Sequence, residues 1–330
     1  MENNQVLLIE RHGIPGILKE ALRIPYKHPK FITLTLLTSL PLFFIMVLHE
    51  IILQTTMIET KAFFTPPPPT EYPFYSTVNW DVNEGLYLVS YYLMTPLDST
   101  MRLFKDMSPR ILQLGILYLV PLHLLDLLTT ITTLNTASSI YAGTPPPTLK
   151  AMLSKSVENT SFKGALITSI YVLSLNSFTL FGFMWAVTNS VIPALGAFFE
   201  VFYGVGSVVL FVKWMDWSAV WNMGIVLSIL EGKHGLEAFW AALYYSRGSR
   251  TRGMCLMLVF FVWRTVLRLL CVYVGGYEKW TGLVITSGLS CIGNVLKWVV
   301  CMVFFYDCKS RVLEKKMDRD GSNEKTISNV

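Results

Sequence analysis

A chain of 330 residues with 52% apolar and 15% charged side chains and a mean hydropathy of +0.47 is too oily for a soluble domain of its size. Its net charge of +5 is spread in short groups between apolar runs, so a membrane is the expected surrounding and no nucleic-acid partner is expected. The cysteines are Cys255, Cys271, Cys291, Cys301 and Cys308, odd in number and without a C-x-x-C pair, which points to neither a disulfide framework nor a zinc site.

In chain order, residues 1–30 read as a cytosolic segment with an amphipathic helix, since Ile14, Ile17, Leu18, Ala21 and Leu22 recur at helical spacing with Lys19, Glu20 and Arg23 opposite. Residues 31–48, "FITLTLLTSLPLFFIMVL", hold no charge, and eighteen residues at 1.5 Å rise nearly cross a hydrocarbon core of roughly 30 Å. Six spans are expected, at about 31–53, 111–136, 164–187, 194–229, 254–274 and 281–306. Span one is expected to serve as an uncleaved signal anchor. Residues 54–110 form an outer loop with a stiff "TPPPPT" piece and an apolar "GLYLVSYYLM" too short to span. Spans three and four make a hairpin through "TNSVIP". Residues 309–330 read as a disordered, charged cytosolic tail. Basic residues gather before span one, between spans two and three, between four and five, and after six. That side is expected to be the cytosol, with both termini on it. The sequon Asn159-Thr160-Ser161 then lies on the cytosolic side and is unused. Cys308 is a juxtamembrane thiol, buried in preference to palmitoylated.

The N-terminal pattern recurs twice. Leu149, Met152, Leu153 and Val157 form a stripe opposite Lys150 and Lys155 before span three. Leu236, Phe239, Trp240 and Leu243 form another before span five, followed by Arg247, Arg250 and Arg252. The chain thus reads as three helix-hairpin repeats, each preceded by a cytosolic amphipathic helix lying in the headgroup layer, with its cations on anionic lipid. Gly232 and Gly235 mark the break between span four and the third surface helix. The fold class expected is all-α, a polytopic membrane bundle of six transmembrane helices.

Chemistry within the membrane needs intramembrane polar groups. By rise per residue, Arg268 lies about 21 Å from the inner boundary and Glu200 about 10 Å from the outer one, which places them at one depth. Asp126 and Lys297 share another, about 22 and 24 Å from the outer boundary. Two interhelical ion pairs are therefore expected, Glu200 with Arg268 and Asp126 with Lys297. Arg264 is left without an acid and, with Arg268 one turn away, is the candidate anion pocket, walled by the hydroxyls of "LLTTITTLNT". No H-E-x-x-H and no G-x-S-x-G occurs, so no enzyme, metal or cofactor is expected.

Residues 217–253, "WSAVWNMGIVLSILEGKHGLEAFWAALYYSRGSRTRG", resemble the signature of a plant family of six-span membrane proteins of unknown function. Trp217, Val226, Ser228, Leu230, Glu231, Gly235, Ala238, Gly248 and Arg250 are the matching positions, and "LKEALRIPYKHPKF" at 18–31 matches more weakly. The aromatic "ALYYSRG" departs from a more aliphatic pattern. That family is similar to the membrane domain attached in bacteria to glycerophosphoryl diester phosphodiesterases. The phosphodiesterase chemistry belongs to a barrel of roughly 250 residues that has no counterpart here, so the resemblance implies a bundle and no reaction. The expected function is a non-enzymatic, lipid-interacting or scaffold component of an endomembrane, endoplasmic reticulum or plasma membrane. The alternative is a carrier or channel for a small anionic or amphiphilic ligand through the arginine pocket.

Overall fold

The computed structural model describes residues 13–64, 115, 121–143, 159–191, 197–270 and 280–327. These residues are helical with short turns, and no strand occurs among them. The helices are α1 (Ile14–Lys27), α2 (Pro29–Phe64), α3 (His123–Tyr141), α4 (Asn159–Val191), α5 (Ala197–Leu230), α6 (Leu236–Ser246), α7 (Arg250–Leu270) and α8 (Trp280–Ile327). Two compact units divide the chain. One comprises Met1–Leu42 with Leu125–Val330, the other Phe43–Leu124. In the second, the described residues are the remainder of α2, which runs on to Phe64, beyond the expected end of span one at 53, together with 115 and 121–124. The "TPPPPT" and "GLYLVSYYLM" stretches and the middle surface helix with Leu149 to Val157 lie outside the described residues.

Four helical stretches among the described residues are long and apolar enough to cross a membrane: Pro29–Ile52, Phe162–Val187, Arg250–Leu270 and Thr281–Met317. The stretches expected as spans two and four are helical over α3 and α5. The distribution of apolar surface has a physical reason. α4 exposes Ile170, Phe178, Phe181 and Trp185, and α5 exposes Phe198, Val201, Phe202, Val205 and Val208. Apolar area this continuous suits hydrocarbon and not water.

Within the larger unit the pairing directions follow from side-chain contacts. α4 and α5 are antiparallel: Gly164 is level with His234, Thr168 with Ser228 at 3.1 Å, Asn176 with Trp214 at 2.6 Å, and Trp185 with Tyr203 at a ring distance of 5.5 Å. The helices expected as spans three and four thus lie antiparallel, and residues 192–196 between them lie outside the described residues. α3 and α8 run parallel and in register, since Asp126 meets Asn294 at 2.7 Å and Ser138 meets Tyr306 at 2.8 Å. α7 and α8 are antiparallel, Gly253 lying on Phe304 and Gly293 on Trp263. α8 is the core of the unit. From Trp298 to Phe305 every side chain is buried, the mark of a helix surrounded by others.

α8 continues to Ile327, so 309–327, expected as a disordered tail, is helical. The run is rich in Lys and Arg and carries Glu314 and Glu324, good helix formers, and Asp307 and Arg311 form an i,i+4 ion pair across its start.

Candidate functional site

Among the described residues, a polar constellation lies where α5, α6, α7 and α8 converge. α5 stops at Leu230 because the chain must then turn twice through left-handed conformations, at Gly232 (φ +68) and Gly235 (φ +57), positions that only glycine takes without strain. Gly235 N donates to Thr168 Oγ1 at 2.9 Å, tying the turn to α4. A Cβ at Gly164 would meet the His234 ring, so that glycine lets the turn lie on α4. The predicted break at Gly232 and Gly235 is where the structure has it.

Three ion clusters ring this end of the bundle. Lys309 Nζ donates to Glu231 Oε1 at 2.8 Å, with Lys233 Nζ 3.7 Å from Oε2. Asp307, 3% exposed, accepts from Arg252 Nη1 at 3.0 Å and lies 3.0 Å from Arg311 Nε. Arg252 also donates to Ser249 Oγ. Asp216 and Arg250 approach to 4.0 Å. Asp307 was missed by sequence reasoning. The only signal for it is the i,i+4 spacing to Arg311 inside "YDCKSR".

Placement of the predicted surface residues is mixed. Leu236 is 62% and Trp240 71% exposed, and Tyr244, which sequence reasoning passed over, is 58% exposed. These three are spaced i, i+4, i+8 and form one row. Leu243 is half-buried, and Phe239 is turned inward with Ala238 and Ala242 onto α5, its ring beside Gly224. The stripe was therefore read one helical row off at Phe239, because an aromatic at that position fills the notch left by a glycine. Arg247 and Arg250 are exposed. Arg252 is not a surface cation: it is held inward by Asp307, since it lies within the first turn of α7, facing α8. α1 shows the same division. Ile17, Ala21 and Ile24 are buried, whereas Leu22 and Tyr26 (89%) are exposed. An open groove of about 1070 Å³ along α1 has Lys19, Arg23, Lys27, Leu22, Tyr26 and Ile32 among its lining residues.

The intramembrane residues are only partly arranged as expected. Asp126 accepts from Asn294, one turn before Lys297, while Lys297 Nζ sits over the Trp298 ring, 4.2 Å from its centroid. The in-register pairing of α3 with α8 makes Asn294 the residue level with Asp126. Asp126 and Lys297 form no ion pair within 4 Å among the described contacts. The hydroxyls of Thr130, Thr132 and Thr136 donate to carbonyls of their own helix, so three hydroxyls of the expected wall are spent on backbone. Arg264 and Arg268 are exposed on α7. Of Glu200 only the backbone is described, so its pairing with Arg268 lies outside the described residues. Among the described residues no group of three His, Cys, Asp or Glu side chains is arranged to hold a metal. Cys308 is buried at 1% exposure. Its thiol does not reach the surface. No family model, curated protein or solved structure matches the chain.

Proposed function

We propose that this chain is a non-enzymatic multi-pass membrane protein, a lipid-interacting or scaffold component of an endomembrane such as the endoplasmic reticulum or plasma membrane, seated on an anionic cytosolic leaflet by its surface helices. The observation that carries this reading is the outward row Leu236, Trp240 and Tyr244 on a short helix whose opposite face is packed into the bundle. Such a row is too apolar for water and too close to Arg247 and Arg250 for deep hydrocarbon. The headgroup layer satisfies both halves, since aromatic rings and cations are each stable there. The basic and apolar groove along α1 supplies a second surface of the same chemistry.

Six spans in three hairpin repeats, with cytosolic termini, belong to this proposal. Its support is the convergence of the α3 C-terminus, the α5 C-terminus, the α7 N-terminus and the 304–311 stretch of α8 at one end of the larger unit. The plant six-span family is the relationship that the 217–253 signature supports. Reconstituting the chain into nanodiscs of mixed anionic and neutral lipid and measuring the lipid retained on it tests the reading. Anionic lipid is expected to be enriched, and Arg23→Gln with Lys27→Gln, Arg247→Gln and Arg250→Gln to abolish most of the enrichment. Equal retention of both lipid classes by the unaltered chain defeats it.

A further inference from the structure

Three ionisable groups lie within about one helical turn of each other in depth inside the bundle. Counting along α8 from Asp307, which marks the polar end, Lys297 lies about 15 Å in; counting along α7 from Arg252, bonded to that same Asp307, Arg264 lies about 18 Å in. Both figures fall near the middle of a core of roughly 30 Å. The neighbouring residues Trp263 and Gly293 touch, so Arg264 lies level with Gly293 and Asn294, about one turn further in than Lys297. Asp126 joins the level through its 2.7 Å bond to Asn294.

The set holds two cations and one carboxylate. Asp126 is already engaged by Asn294, Arg264 has no acid within ion-pair distance among the described residues, and its side chain is exposed on α7. Beside Lys297, the Trp298 ring that it covers has a buried Nε1–H without an acceptor among the described residues. An indole N–H can only donate. A surplus of one positive charge at the bilayer midplane, together with an unmatched buried donor, calls for an acceptor that brings its own negative charge.

We propose that Arg264 and Lys297, with Trp298 as a neutral donor and Asp126 setting the charge balance, form an intramembrane site for one oxyanion group, a carboxylate or phosphate. Lys297 thus takes the place expected for Arg268 as the companion cation of Arg264. Its exposed face is open laterally, so an anionic amphiphile reaches it from the bilayer. A free anion requires a water path.

The site stands apart from the surface-helix reading and is tested on the full chain in nonionic detergent by equilibrium dialysis with three probes: a labelled long-chain fatty acid, lysophosphatidate, and inorganic phosphate. Saturable binding near one per chain is expected for a probe of this class. Arg264→Gln is expected to weaken it about tenfold or more, since a hydrogen bond to a charged group is lost. Asp126→Asn keeps the acceptor for Asn294 and removes the competing charge, so binding is expected to tighten. Binding of the two amphiphiles alone identifies lateral entry from lipid, and competition by phosphate identifies a free anion. A fatty acid brominated next to its carboxylate supplies a readout on the unaltered chain, quenching fluorescence that Arg264→Lys partly preserves. No saturable binding, equal affinity in the wild type and Arg264→Gln, or weakening by Asp126→Asn overturns the proposal. Trp240→Ser leaves this binding unchanged if the two sites are separate.

Discussion

Asp307 is buried at the meeting of α7 and α8, and its carboxylate is shared by two arginines that come from different helices. Removing one member of such a cluster strands the others, at roughly 3 to 5 kcal/mol for fully buried groups. The Arg252 and Arg311 side chains are 19% and 31% exposed and keep part of their water, so Asp307→Asn is expected to cost about 2 kcal/mol. The expected result in a thermal melt of the detergent-solubilised chain is a clear fall in midpoint for Asp307→Asn, a smaller one for Glu231→Gln, and partial recovery when Asp307→Asn is combined with Arg252→Met. Strict additivity of the two changes means that the residues are energetically independent. Gly253 shows how little such a site can be altered. A Cβ there would lie 3.0 Å from Ala219 Cβ and 3.1 Å from the Phe304 ring, and it is this close approach that brings Arg252 onto α8.

α6 shows how one short helix serves two media. Eleven residues are too few to be stable alone. Ala238, Phe239 and Ala242 anchor it on α5, and the anchored helix then presents Leu236, Trp240 and Tyr244 outward. If that row lies in the headgroup layer, each nearby cation adds about 1 kcal/mol on an anionic leaflet. Trp240 in the reconstituted chain is then expected to be quenched by lipids brominated near the glycerol end of their chains more than by those brominated near the methyl end. Arg247→Gln with Arg250→Gln is expected to reduce that quenching on anionic bilayers and to leave it nearly unchanged on neutral ones. Quenching at neither depth means that the row faces water or protein. The sequence pattern disclosed α6 and its apolar character, but helical periodicity alone does not tell which of two adjacent apolar rows faces the bundle. The groove beside Gly224 decided that for Phe239.

At the scale of the molecule, the parallel register of α3 with α8 and the antiparallel pairs α4/α5 and α7/α8 set the directions that any membrane topology must satisfy. α3 and α8 point the same way along the bundle, the direction that the proposed second and sixth spans require. A reporter after Val330 is expected on the cytosolic side and one at Thr70 on the opposite side, read by protease protection in sealed vesicles. The six-span arrangement puts five spans between the two reporters, so finding both on the same side, which requires an even number between them, excludes it.

Helices long and apolar enough to cross a membrane, the helical class, the glycine break at 232–235, the antiparallel α4/α5 pair and the amphipathic nature of α1 were legible in the sequence. Each depends on local properties: run length, helical period, or the steric freedom of a single residue. The partners of the charges were not legible. Depth counting put Lys297 at the level of Asp126 and missed Asn294, because one turn of register is about 5.4 Å, the same size as the uncertainty in where a span begins. Arg252 read as a surface cation beside Arg247 and Arg250, and Asp307 did not stand out at all. Which cation turns inward, which acid receives it and which arginine is left facing the bilayer are properties of helix rotation and crossing, and these are decided only when the helices pack against one another.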